Sequence, residues 1–135
     1  MKSFKSFVQE SSINVADEIS RIKKDWYGEI EKLHNQGNAL AAPFSNKFGD
    51  VMRGGLSTDY IRSKDHGGEI VEVMTRKTLQ AVKDVVRHYF FDVKGFGAKP
   101  TIQILDKLDE KDYLEIYNGM RKEWGLPPVA GIGPK

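Results

Sequence analysis

From Asn14 to about Gln36, apolar residues recur at spacings of three and four: Val15, Ile19, Ile22, Trp26, Ile30 and Leu33. That period predicts an amphipathic helix with one buried face, leaving Arg21, Lys24, Asp25 and Glu31 in water. Asn14 is a good N-cap, Asp17 and Glu18 suit the positive end of the helix, and Gly37 closes it. Gly28 is the one weak link inside it.

Between Gly37 and Gly68 the periodicity fades and glycines, Asn, Ser and Asp accumulate, so this stretch is expected to be mostly loop. Phe44, Phe48, Val51 and Met52 suggest a short helical turn folding over the core. Glu69 to Asp92 reads best as a second long helix, with Ile70, Met74, Thr78, Ala81, Val85 and Tyr89 on one face and Val82, Val86 and Phe90 widening it. An arc that broad predicts a central helix contacted from two sides, by its own domain or by a second copy. Both ends are also rich in strand formers, at 69–73 and 89–93, so short strands flanking a shorter helix remain open. Pro100 to Leu105 reads either as a strand with Ile102 and Ile104 inward or as a short helix opened by Pro100.

Asp109 caps a last helix running to Trp124, with Tyr113, Tyr117, Met120 and Trp124 as its stripe, broadened by Leu114 and Ile116, and Gly125 as its stop. Trp26 and Trp124, each on an apolar stripe, are expected to anchor the core or an interface. The expected fold is mainly α, or α+β with a minor sheet: a small helical domain of two long helices and a C-terminal helix. Residues 11–128 form the single globular domain, and 129–135 a flexible tail.

Composition changes this picture little. With 135 residues, 30% charged and 39% hydrophobic, the chain is suited to one ordinary folded domain. It has no cysteine, which excludes disulfides and thiolate metal sites and suits a reducing compartment. No apolar run approaches the roughly 20 residues that span a bilayer, so no membrane partner is expected. A net charge of +2 is a weak signal for nucleic acid.

Candidate chemistry is sparse. Asp65, His66 and Glu69 are metal-ligand types, but their glycine-rich context favours a solvated loop. Ser57, Thr58, Asp59, Asp65 and His66 lack the strand-turn-helix setting of a nucleophile, and the glycine pairs at 54–55 and 95–97 lack the ending of a phosphate loop. No catalytic, metal or cofactor residue is assigned, and no enzyme is expected. Arg76, Lys83 and Arg87 fall near one flank of a helix and are candidate phosphate contacts, diluted by Glu72 and Asp84.

The first ten residues, Met1 to Glu10, are set apart from the first helix by Ser11 and Ser12. Phe4, Phe7 and Val8 would share a face of a short helix, beside Lys2 and Lys5. They form either a detachable address or an amphipathic helix that stays packed. They lack the apolar core of a secretory signal.

The order Met-Lys-small-aromatic-x-x-Phe-aliphatic-x-Glu resembles the capsid-targeting propeptide of internal head proteins in T-even-like tailed bacteriophages, over those ten residues alone. The resemblance implies a targeting or docking peptide carried by Phe4, Phe7 and Val8, and cleavage by a prohead protease between Glu10 and Ser11. Val8 stands where that protease prefers Leu or Ile. Two other triplets, Ile70-Val71-Glu72 and Leu108-Asp109-Glu110, match the preference better by side chain, so position and accessibility must choose among them.

The resemblance further implies a non-enzymatic virion protein, an internal head protein located in the head interior and in the host cytoplasm during infection. Its partners would be phage scaffold or capsid proteins and the prohead protease, with weak DNA contact and self-association as further expectations. Two alternatives stand beside it. One is a head, neck or tail structural subunit that keeps its N-terminus as a docking peptide. The other is a host-takeover or anti-defence protein that binds nucleic acid or a host protein through the central basic residues.

Overall fold

The computed structural model describes residues 13–41 and 58–135, apart from the side chain of Tyr27. Phe4, Phe7, Val8, Glu10 and Ser11 lie outside the described residues, as do Phe44, Phe48, Val51, Met52 and Ser57. The fold is mainly helical with a small three-stranded sheet, in the order α1 (Val15–Asn35), β1 (Thr58–Ser63), β2 (Glu69–Met74), α2 (Arg76–His88), α3 (Ala98–Asp106), α4 (Glu110–Glu123) and β3 (Gly131–Ile132). A π-helical turn, Tyr89–Val93, extends α2.

Helix α1 begins where the pattern places it, with the Asn14 side chain accepting the Asp17 N–H at 3.1 Å. Its interior breaks at Asp25 (φ −153°, ψ 76°). There Asp25 acts as a second N-cap, its carboxylate accepting the Gly28 N–H at 3.0 Å. The weak link at Gly28 is thus part of a kink, since a Cβ there would lie 2.1 Å from Asp25 Oδ2.

The preferred reading of Glu69–Asp92 as one long helix is corrected, and the open alternative of short strands flanking a shorter helix holds at the 69–73 end but not at 89–93. Residues 69–74 form strand β2, the helix proper is Arg76–His88, and Tyr89–Val93 is a π turn closed by Lys94 N–H donating to Tyr89 O at 2.8 Å. Thr75 makes the switch, because it is extended and its hydroxyl accepts the Thr78 N–H as an N-cap. Strand β1 likewise replaces part of the expected loop, pairing antiparallel with β2 in the register Tyr60↔Glu72 and Arg62↔Ile70. Only the Val73–Met74 end of this hairpin is buried, while Tyr60 and Ile70 are 66% and 63% exposed. Ile70 is therefore not a core residue.

The segment from Pro100 is helical, within α3, so the strand alternative falls. Its Ile104 is fully buried but Ile102 faces out, as a period of 3.6 rather than 2 requires. Helix α4 opens with a capping box between Asp109 and Asp112. Trp124, at its end, is 39% exposed and is not a core anchor.

The expected tail is also corrected. Val129 is buried, its backbone bracketed by the Asn118 amide, which donates to Val129 O at 3.1 Å and accepts its N–H at 2.8 Å. Gly131 and Ile132 then pair in parallel with Val73 and Met74. Arg121, itself buried, donates to Pro127 O at 2.7 Å and reaches Glu72 at 3.4 Å. The folded unit thus runs past residue 128 to at least Gly133.

The core lies between α1, α2 and α4, with α1 packed chiefly on α4. An aromatic spine crosses it: Trp26 meets Tyr89 at 5.0 Å between centroids, Tyr89 meets Phe90 at 5.1 Å, and Phe90 stacks on Phe96 at 6.0 Å. Trp26 is thus the core anchor its stripe predicts.

Candidate docking groove

Each candidate phosphate contact has a local partner. Arg76 pairs with Glu110 at 2.6 Å and donates to Gly133 O at 3.1 Å. Lys83 sits over the Tyr113 ring at 5.7 Å. Arg87 lies 3.9 Å from Asp84, beside a hollow of about 310 Å³ that it shares with Asp84, His88, Phe91 and Asp92. A phosphate at Arg87 would meet two carboxylates there. From Arg76 to Arg87 the helix rises about 16 Å, so the three are spread along a flank rather than gathered.

His66 is bonded to the Ser63 hydroxyl at 2.8 Å. Among the described residues, no group of three or more His, Asp or Glu side chains is placed to hold a metal ion.

The two competing cleavage triplets are held in the fold. Glu72 is bonded to Thr58 and Arg121 within the central strand. Leu108 is buried, and Asp109 is locked in the capping box of α4. A protease that needs an extended substrate would have to unravel the sheet or α4 to reach either.

Among the described residues a further concavity lies along the first half of α1. It encloses about 710 Å³ and is lined by Val15, Ala16, Ile19, Ser20, Lys23 and Lys24 of α1, Lys107 after α3, and Glu115 of α4. Val15 and Ile19 belong to the stripe read as buried, yet both are only partly covered. On α1 the lining stops at Lys24, one residue before the kink at Asp25.

One wall is fixed by charge. Lys23 Nζ donates to Asp112 Oδ1 at 2.7 Å and lies 3.4 Å from Glu115 Oε2. The hydrogen bond to Asp112, with both carboxylate charges, holds the ammonium above its usual value although burial opposes this. Burial pushes the Asp112 carboxyl up, but the bonds from Lys23 and from the Asp109 backbone outweigh it and hold the group below its usual range. Asp112 thus ties α1 to the capped end of α4. Among the described residues no ion pair engages Lys24 or Lys107.

Lys23, Lys24 and Lys107 were not legible as a site, since a lysine beside an apolar stripe is ordinary on any surface helix. The adjacent pair Lys23-Lys24 after Ile19 was the only local hint.

Fold and groove together define a small helical domain with a lysine-rimmed apolar trough on its surface. Comparison with protein-family models, with curated proteins and with solved structures finds no match. Among the described residues no helix is long and apolar enough to cross a membrane.

Proposed function

We propose that this chain is a non-enzymatic virion component of a tailed bacteriophage, an internal head protein carried into the prohead by residues 1–10 and cleaved after Glu10. The observation that carries it is the pattern of residues 1–10 set beside the position of the folded unit. Helix α1 starts at Val15 on its Asn14 cap, so a cut between Glu10 and Ser11 leaves the cap bond and all of α1 intact. The rival triplets lie where cleavage would destroy the sheet or the cap of α4. In this role Phe4, Phe7 and Val8 engage scaffold or capsid protein, and the prohead protease acts at Glu10.

The reading as a nucleic-acid-binding host-takeover protein draws less support, since Arg76 and Arg87 each face a carboxylate. The test is processing of two variants during infection. Glu10→Ala is expected to leave the chain at full length, and Glu110→Gln to be processed as the parent chain is. Processing of Glu10→Ala at the parental rate would contradict the assignment.

A further inference from the structure

We propose that the groove on the first half of α1 docks an amphipathic helix with an acidic flank, supplied by a partner protein. The proposal goes beyond the packaging role and stands without the decapeptide. Its floor is apolar, formed by Val15, Ala16 and Ile19, and its rim carries Lys23, Lys24 and Lys107. Lys23 is already matched by Asp112 and Glu115. Three lysines against those two carboxylates leave a net charge of +1, and the two lysines engaged in no ion pair among the described residues, Lys24 and Lys107, stand on two different elements.

The chemistry discriminates among occupants. Nucleic-acid phosphates would satisfy the lysines but leave the apolar floor without a partner. A bilayer surface offers both anions and apolar chains, but it is broad, whereas this groove is bounded by Lys107 on one side and Glu115 of α4 on the other. The chain's own residues 1–10 supply Phe4, Phe7 and Val8 but bring Lys2 and Lys5 against a single Glu10, so their charge opposes the rim. An acidic-flanked helix satisfies floor and rim together. The groove runs from Val15 to Lys24, about 14 Å of helix rise, which accommodates between two and three turns with anchors at i, i+3 and i+7.

The test is titration of the isotope-labelled full chain, followed by NMR, with two synthetic helices of about 14 residues that share one leucine stripe and differ in their flanks, one glutamate and one lysine. The glutamate-flanked helix is expected to bind, with shifts concentrated at residues 15–24, 107 and 115, and more weakly as salt rises. Combining Lys24→Glu with Lys107→Glu is expected to weaken binding about tenfold or more. Ala16→Arg, at an exposed position that leaves the core untouched, is expected to block it. Equal binding of both helices, no binding, or shifts centred elsewhere would overturn the proposal. So would capture by anionic phospholipid vesicles through Lys24 and Lys107 while the glutamate-flanked helix stays free.

Discussion

Gly28 shows how much a single position can conceal. A glycine in a helix ordinarily costs about 1 kcal/mol against alanine, yet here a Cβ would collide with the Asp25 carboxylate that caps the second half of α1. Gly28→Ala alone should therefore change stability little, because its propensity gain is offset by loss of a cap bond of about 1 kcal/mol. In an Asp25→Ala background, where that bond is already gone, the same substitution should stabilise by about 1 kcal/mol. Denaturant unfolding of the four chains checks this, and additive effects would refute the coupling. The sequence displayed both residues and the break in propensity. It did not display the capping geometry, because Asp25 reads equally well as one more exposed charge on a continuous helix.

At the scale of elements, legibility followed the strength of local signals. Helices α1 and α4 were readable because stripe, cap and stop agree within each segment: Asn14 with Val15–Leu33, and Asp109 with Tyr113–Met120. The stretch Glu69–Asp92 misled because strand β2 and helix α2 are separated by the single residue Thr75, so their apolar positions run on as if in one phase. Strand β3 was hidden because two residues carry no period, and their pairing with Val73 and Met74 depends on Asn118 and Arg121 from another element. The hairpin yields a contrast to measure. Met74→Ala empties a fully buried site and should cost about 2–5 kcal/mol, whereas Ile70→Thr, at a 63% exposed position, should stay within about 0.5 kcal/mol. Comparable losses in chemical denaturation would mean that the outer hairpin is part of the core.

For the molecule as a whole, the ionisable groups set the pH limits of the fold. Burial raises the phenols of Tyr89 and Tyr113, the latter to about 12, and the Asp112 bond raises Lys23. Groups raised in the folded state bind protons more tightly there, so their contribution is whole below the unfolded values of 10.0 for tyrosine and 10.5 for lysine and fades above them. Asp112 is lowered, so its contribution is present above its ordinary value of 3.8 and is lost as pH falls through the folded value. Thermal unfolding across pH should show a broad plateau falling off above pH 10 and again below pH 4. Loss of the alkaline limb with tyrosines ionising at ordinary values in the folded chain would contradict the burial of Tyr89 and Tyr113.

The proposed function rests on the pattern of residues 1–10, which the sequence alone displays. The groove needed α1, α3 and α4 assembled before Lys24 and Lys107 stood on one rim. The packaging role is tested most directly by intact mass and N-terminal sequencing of the protein recovered from purified virions. A chain beginning at Ser11 is the expected result; a chain beginning at Met1, or absence of the protein from virions, would contradict it.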